Sequence, residues 1–402
     1  MKTVIITDPR EAAHILRRGG LLAVPTETVY GLAANGLDAA AVEEIYEVKG
    51  RPAVKPLSLM LPGPEATAQY AGEVPEAAKA LAEAFWPGPL TLVLKAKDTI
   101  PDVVRAGGDT IGLRCPDHPL TLELLREIGF PLAAPSANPS GLPSPKSAEE
   151  VLSYFDGRID GVLDGGPCGL GTESTILDLS KKPYRILRRG ALPEEAVADA
   201  LVERMTVFGI TGGSGSGKTT ALRVLRGLGA LVIDADAVYH GLLRSDESLM
   251  NAISARFPGT VREHTLDRKA LAAAVFSDPE ALSDLNAITH PAVITETKRR
   301  LREHAMAGGE LAAIDAIALL GSGLEKLCDR TYAVVADREA RVSRIMARDG
   351  ISREAALRRI EAQRPDDYFI ENCSAVLHND SSESAFESLC KTIFKEDLTW
   401  TN

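Results

Sequence analysis

A glycine-rich segment, Thr211-Gly212-Gly213-Ser214-Gly215-Ser216-Gly217-Lys218-Thr219-Thr220, sits in the middle of this 402-residue chain. An apolar run, 206–210, precedes it and the helix-forming stretch 221–225 follows. From Gly212 the segment has a glycine, four residues, then glycine-lysine-threonine, the pattern of a phosphate-binding loop between strand and helix. Glycine lets backbone N–H groups approach phosphate oxygens without a Cβ intervening. The helix that follows adds the partial positive charge of its N-terminus. Lys218 is then placed for the terminal phosphates and the Thr219 hydroxyl for Mg²⁺. Gly213, Gly215, Ser216, Gly217, Lys218, Thr219 and Thr220 are therefore the candidate ATP-binding residues of this half. About two hundred residues precede the loop, and Met205 stands just before its strand. The reading that fits is two enzymes joined head to tail, with domains at 1–204 and 205–402.

Bulk properties narrow the choices. The chain is 45% hydrophobic and 25% charged, ordinary values for a soluble globular protein. No apolar run approaches the ~18 residues of a membrane span. Asp8 comes too early for a signal-peptide core, so a cytoplasmic protein without a membrane partner is expected. Cys115, Cys168, Cys328, Cys373 and Cys390 are scattered, with no C-x-x-C pair. Neither a disulfide framework nor a zinc site is expected. Residues 1–205 carry 21 basic and 28 acidic side chains, the remainder 24 and 28. Neither half has the basic excess of a protein that grips nucleic acid by its phosphates.

Pattern reading gives an α/β chain. In the first half, 21–24, 57–61, 90–94, 111–114, 174–179 and 185–187 read as strands. Segments 39–48, 119–128 (closed by Gly129) and 193–204 (Pro193 in the first turn) read as helices. Residues 135–147, rich in proline and serine, form a loop. The second half alternates: helix 218–227, strand 231–233, a helical region to about 308, then strands 311–314 and 332–336 around 317–327. That alternation predicts a doubly wound parallel sheet. Eight arginines between 338 and 364 crowd one helical stretch. No low-complexity linker separates the halves.

The run Val232-Ile233-Asp234-Ala235-Asp236 ends the second strand of the second half, where an open α/β sheet places its ligand crevice. One carboxylate there can hold the magnesium shell and the other can accept a proton from an attacking hydroxyl. The competing reading is a solvated strand end or helix cap. With the phosphate loop, Asp234–Asp236, His290-Pro291, Arg344-Ile-Met-Ala-Arg348-Asp349 and Arg359-Ile-Glu-Ala-Gln363, the stretch from 206 to about 395 resembles dephospho-CoA kinase. The resemblance implies a P-loop fold with a helical acceptor and lid region, using Mg²⁺ and ATP to phosphorylate the ribose 3′-hydroxyl of dephospho-CoA. It makes Asp236 the general base and Lys218, Arg344 and Arg348 catalytic cations. It gives Asp234 and His290 to the acceptor, and Thr219 and Asp234 to Mg²⁺. Ser214 departs from the aliphatic residue frequent in the family; its backbone does the work, so little effect is expected. Asp315 is expected to be structural.

The first half lacks a phosphate loop, a triad or a metal cluster. It carries polar residues set in proline- and glycine-fixed turns: Thr28 in 25–32, Lys49, Arg51 and Lys55, Trp86-Pro-Gly-Pro89, Arg114 in 114–119, Ser136 and Asn138, and Glu173-Ser174-Thr175. Lysines and arginines of this kind bind phosphates or carboxylates. The ordered set, K-x-R with S-x-N, resembles the YrdC-like threonylcarbamoyl-AMP synthases over about 8–200. The resemblance implies a twisted open α/β sheet that joins L-threonine, bicarbonate and ATP, releasing pyrophosphate. Its product serves the threonylcarbamoyl-adenosine (t6A) modification of tRNA, reached through separate transfer proteins. It implies Lys49 and Arg51 as catalytic cations facing the triphosphate. Arg51, Lys55, Thr110, Ser136, Asn138, Ser144 and Arg188 are implied at ATP, and Thr28, Arg114 and Ser174 at threonine. Arg189 stands where proline is more common. No covalent nucleophile is required; positioning and fixed cations would supply the rate.

Two other readings compete. The first half could be an RNA-binding or scaffolding module beside one working kinase; its acidic balance and few aromatics oppose base stacking. The second half could phosphorylate another small acceptor, such as a nucleoside monophosphate; Asp234, Asp236 and His290-Pro291 point instead to dephospho-CoA.

Overall fold

The computed structural model describes residues 2–262, 265–276 and 278–400. The chain divides into two compact units: Met1–Arg204 with Met306–Gly308, and Met205–Ala305 with Gly309–Asn402.

In unit 1 the strands are β1 (Val4–Ile6), β2 (Leu22–Val24), β3 (Gly31–Asn35), β4 (Ser58–Met60), β5 (Leu90–Lys95), β6 (Thr110–Arg114), β7 (Leu132–Ala133), β8 (Gly161–Leu163), β9 (Thr175–Asp178) and β10 (Arg185–Arg188). The helices are α1 (Pro9–Arg17), α2 (Ala39–Lys49), α3 (Thr67–Tyr70), α4 (Glu76–Phe85), α5 (Asp102–Arg105), α6 (Pro119–Ile128), α7 (Ala148–Phe155) and α8 (Glu194–Val202). The strands form one mixed sheet in the order β1-β8-β2-β3-β7-β4-β6-β5-β9-β10. Buried positions explain the elements. α1 turns Ala12, Ala13, Ile15 and Leu16 onto Leu124, Leu125 and Ile128 of α6, over Val24 and Leu163 of the sheet. At ~25 cal/mol per Å² that apolar burial is the main force holding the layers. Asp38 starts α2 by accepting from the Ala40 and Ala41 amides, and left-handed Gly50 ends it. Gly129 closes α6 in the same conformation, as expected. Pro193 differs from its predicted place: it is the N-cap of α8, with ψ 143°, because its extended backbone lies outside the first turn.

In unit 2 the strands are β11 (Thr206–Thr211), β12 (Leu231–Asp234), β13 (Val261–Arg262), β14 (Thr265–Leu266), β15 (Leu311–Asp315), β16 (Arg330–Val335) and β17 (Ala375–His378). The helices are α9 (Lys218–Gly227), α10 (Ala235–Ser245), α11 (Glu247–Arg256), α12 (Arg268–Phe276), α13 (Pro279–Met306), α14 (Arg338–Asp349), α15 (Arg353–Glu361), α16 (Asp366–Asn372) and α17 (Glu383–Trp400). Five strands make a sheet ordered β12-β15-β11-β16-β17, each pair parallel. α9 and α17 pack Leu222, Leu225, Phe386 and Phe394 on one face, against Phe208, Ile210 and Tyr332. Phe369 of α16 covers Ala333 and Val335 on the other. The sheet is therefore doubly wound, with β11 at its centre.

Three differences from the sequence reading have local causes. The helical region to about 308 is interrupted by the antiparallel pair β13/β14; residues 263, 264 and 277 of that region lie outside the described residues. The arginine-rich stretch is two helices, because left-handed Gly350 ends α14 and Ser352 caps α15. Strand β17 was not foreseen; it is a short edge strand with little apolar run of its own. No described helix is long and apolar enough to cross a membrane.

Candidate active sites

In unit 2 the chain leaves β11 at the switch point of the sheet and enters the glycine loop. Gly212, Gly215 and Gly217 have φ of +133, +78 and +109°. A Cβ on Gly217 would overlap the Asn379 side-chain amide, and one on Gly212 the Val334 carbonyl. Glycine is thus required by both conformation and space. Neighbouring elements hold the loop. Asn379 Nδ2 donates to the Ser216 carbonyl at 2.8 Å. Arg344 donates to the carbonyls of Gly215 (3.2 Å) and Asn379 (3.1 Å). Buried Arg341 donates to the Ser214 carbonyl at 3.0 Å and pairs with Asp366 at 2.7 Å. Gln363 bonds Ser214 twice, accepting from its amide (2.8 Å) and donating to its hydroxyl (2.9 Å).

The loop opens on a cavity of about 370 Å³ lined also by Lys218, Thr219, Asp234, Asp236, Asp315, Arg344 and Arg348. Lys218 Nζ donates to the Gly212 carbonyl at 2.8 Å. Burial lowers its pKa, while the charges of Asp315 and Asp236 oppose that shift. Asp315 ends β15 in register with Asp234 of β12. Burial raises its carboxyl to about 6, and Lys218 opposes. Its Oδ1 is buried without a hydrogen-bond partner. A second cavity, about 200 Å³, is lined by Tyr239, Asn286, Thr289, His290, Val293 and Leu324 among others. Asp236 lines both cavities.

The predicted residues of this half mostly come together. Gly213, Gly215, Gly217, Lys218, Thr219, Asp234, Asp236, Arg344 and Arg348 share the first cavity, and His290 the second. Ser216 is buried beneath the loop, and Thr220 bonds the Gly217 carbonyl through its amide at 3.0 Å. Asp234 also caps α10, accepting from the Ala237 amide at 2.9 Å; the helix-cap reading describes that oxygen. Arg348 is paired with Asp349 at 2.7 Å. Burial lowers the His290 pKa, against the charge of Glu325. Sequence reasoning missed Asp315, Arg341, Gln363 and Asn379 as site residues. Asp315 carries a usable signal, a carboxylate ending an apolar strand, like Asp234.

In unit 1 a cavity of about 140 Å³ opens on the sheet, lined by Arg51, Ser58, Thr91, Arg114, Ser136, Glu173, Ser174 and Arg188 among others. Buried Arg114 is anchored by Glu27 (2.7 Å), the Thr28 hydroxyl (2.9 Å) and the Gly88 carbonyl (3.2 Å). Arg188 donates to the Ser174 carbonyl and hydroxyl, both at 3.0 Å, and Ser174 meets Thr91 at 2.8 Å. Arg51 donates to the carbonyls of Lys55 (3.3 Å) and Pro56 (3.0 Å), which curl its loop around the guanidinium. Ser144 donates to Glu173 at 2.7 Å, and this bond holds the Glu173 carboxyl below its ordinary range.

Six predicted residues stand off this wall: Lys49, Lys55, Thr110, Asn138, Thr28 and Ser144. Lys49 is buried and donates to the carbonyls of Ser136 and Asn138, so its ammonium is engaged behind the loop. Burial lowers it to about 7, with Arg51 contributing. Lys55 is exposed; its carbonyl, not its ammonium, serves the fold by accepting from Tyr46 at 2.9 Å. Thr110 opens β6, four residues from Arg114 and so ~13 Å away along the strand. Asn138 turns inward and donates to the carbonyls of Pro139 and Leu142. Thr28 lies behind Arg114. Glu27 and Glu173 stand in turns the sequence marks but were given no role, and Ser58 and Thr91 carry no signal beyond lying on apolar strands.

Fold and sites together define a chain of two α/β units, the second a P-loop nucleotide-binding fold. A family model described as telomere recombination (Sua5/YciO/YrdC) matches residues 14–190, and the dephospho-CoA kinase model matches 206–385. A threonylcarbamoyl-AMP synthase of Pyrococcus abyssi is 48% identical over 194 residues, 48% of this chain and 57% of that one. One from Halorhodospira halophila is 38% identical over 180 residues, 45% of this chain and 93% of its own. A dephospho-CoA kinase of Geobacter sulfurreducens is 36% identical over 192 residues, 47% of this chain and 98% of its own. The chain belongs to both families, its first half to the YrdC-like threonylcarbamoyl-AMP synthases and its second to the dephospho-CoA kinases. It spans a little over half the length of the first curated relatives it matches.

Proposed function

We propose that the chain is a bifunctional, cytoplasmic ATP-dependent transferase. Unit 2 moves the γ-phosphoryl group of ATP to the ribose 3′-hydroxyl of dephospho-CoA. Unit 1 makes threonylcarbamoyl-AMP from L-threonine, bicarbonate and ATP. The observation that carries the kinase reading is that Asp236 lines both the phosphate cavity and the neighbouring apolar cavity. A carboxylate at that junction can take the acceptor's proton as its oxygen bonds the γ-phosphorus and ADP leaves. Lys218, Arg344 and Arg348 then balance the charge on the transferring group. His290 and Tyr239 would hold the acceptor in the second cavity.

Mg²⁺ fits the donor set: Thr219 and Asp234 offer hard oxygens in the phosphate cavity, and Mg²⁺ binds through one or two carboxylates plus phosphates. Among the described residues no cluster of three His, Cys, Asp or Glu forms a metal cage. Bound there, the ion would neutralise phosphate charge.

In unit 1 the cations Arg51, Arg114 and Arg188 face one small cavity with hydroxyls from Ser136 and Ser174. That set suits a carboxylate amino acid beside a nucleotide phosphate. The threonine carbamate would attack the α-phosphorus and pyrophosphate would leave; the product would pass to transfer proteins that modify tRNA. The RNA-binding or scaffolding alternative is not favoured, because the synthase family match spans this unit. Mass spectrometry of one mixture of protein, Mg²⁺-ATP, L-threonine, bicarbonate and dephospho-CoA tests both activities. CoA and threonylcarbamoyl-AMP are both expected, and absence of either rejects that half of the reading.

A further inference from the structure

Lys49 is used by no step above. It is 3% exposed and ends α2, where left-handed Gly50 turns the chain away. Its ammonium donates to the carbonyls of Ser136 and Asn138. The same loop returns a bond, from the Ser140 amide to the Lys49 carbonyl at 2.8 Å. The opposite side of the loop is stitched to the segment at β3. The Leu32 amide donates to the Pro135 carbonyl (2.7 Å) and the Ala137 amide to the Tyr30 carbonyl (2.8 Å). Ser136, between these two sets of bonds, faces the cavity. Burying an ammonium costs free energy, and bonds to charged groups are the strong ones that offset it. Two of the ammonium's three N–H groups are taken by these carbonyls, and at 3% exposure the side chain has little free surface to offer a triphosphate.

We propose that Lys49 is a positioning residue of the synthase site, clamping the Ser136–Asn138 backbone so that this loop presents the Ser136 hydroxyl to the nucleotide, rather than a cation that touches phosphate. This rests on the synthase reading of unit 1 for its consequence, although the clamp itself can be measured without it. The K-x-R and S-x-N signatures are then parts of one device: the lysine fixes the loop and the arginine faces the cavity.

The test is hydrogen–deuterium exchange of the full chain, ligand-free, followed by mass spectrometry of peptides covering 134–142, with Arg51→Met as the control. Lys49→Met should speed exchange in that peptide by about ten- to a hundredfold, as for losing a hydrogen bond to a charged group, while β5 stays protected. Arg51→Met should leave the loop unchanged and raise the KM for ATP in threonylcarbamoyl-AMP formation. Unchanged loop exchange in Lys49→Met, with a raised KM for ATP, would overturn the proposal. Should Lys49→Met fail to fold, Lys49→Arg is read the same way: faster loop exchange with lower kcat supports the clamp, and protected loop with raised KM rejects it. If the native chain makes no threonylcarbamoyl-AMP, the functional reading fails while the exchange result still decides the clamp.

Discussion

The two sites are built on opposite plans. In unit 2 the proposed phosphate site is one contiguous glycine loop, a cradle that would bind through its backbone, with carboxylates added from two strand ends. In unit 1 the cavity wall gathers side chains from Arg51 to Arg188, each tethered by its own neighbours: Arg114 by Glu27, Arg188 by Ser174, Arg51 by two carbonyls. A backbone site needs glycine at fixed spacing, because only glycine meets both the positive φ and the close approach. A side-chain site needs only that the right groups converge, so spacing along the chain carries little information. The contrast teaches that the first plan concentrates function in few atoms, whereas the second spreads it over a network.

That contrast predicts how each site breaks. Lys218→Ala should reduce CoA formation by roughly 10³-fold, since it removes a preorganised cation, and leave threonylcarbamoyl-AMP formation intact. Both products are read from one preparation, and a parallel loss of the second would mean the units are not independent. Asp236→Asn should lower the kinase kcat ~10²–10⁴-fold with the KM for dephospho-CoA little changed. Near-normal turnover would remove Asp236 from the proton's path.

In the networked site the largest damage should be structural. Arg114 and Glu27 are 8% and 14% exposed in their side chains. Arg114→Ala removes the charge partner of the Glu27 carboxylate, leaving it the Asp117 amide, and should cost unit 1 about 3–5 kcal/mol in urea unfolding, with synthase activity lost. A loss of activity without loss of stability would show Arg114 acting on substrate alone.

The sequence made the P-loop unit legible at its glycine loop and at the Asp234–Asp236 strand end, because a backbone cradle writes itself as glycine spacing and strand ends follow apolar runs. Asp315 escaped for want of a motif, though it ends β15 as Asp234 ends β12. The synthase wall was legible as a set but not atom by atom. Lys49, Lys55 and Thr110 carry the expected chemistry at the expected places, yet their side chains lie behind the loop, in solvent or ~13 Å along β6. Which way a lysine runs is decided by burial and by carbonyls distant in sequence. Short edge strands such as β17 escaped for a similar reason: pairing with β16 defines them more than composition does.

Asp315 offers a smaller, pH-dependent probe of unit 2. Its carboxyl is raised from 3.8 to about 6. The stability linked to that proton is fully present below pH 3.8 and is lost as pH rises through 6. Asp315→Asn removes the cost of the buried charge, so it should stabilise ligand-free unit 2 relative to native at pH 7.5, by at most about 3 kcal/mol, and much less at pH 4. Thermal melts in EDTA measure this, and a gain equal at both pH values would deny the buried charge its role.

The smallest effect should come from the Ser214 side chain in the glycine loop. Ser214 bonds Gln363 through both amide and hydroxyl. Ser214→Ala removes the hydroxyl bond, a neutral contact worth about 0.5–1.5 kcal/mol at most, and leaves the amide bond in place. CoA formation should therefore change by less than about threefold, because a glycine loop meets phosphate through its backbone and the Ser214 hydroxyl is engaged by Gln363. Ser144→Ala is the matched change in unit 1, since it also removes one serine hydroxyl bond, but there the partner is the Glu173 carboxylate on the cavity wall. It should cost synthase activity more than Ser214→Ala costs kinase activity. If the two losses come out equal, or Ser214→Ala is the worse, the division into a backbone site and a side-chain site does not hold.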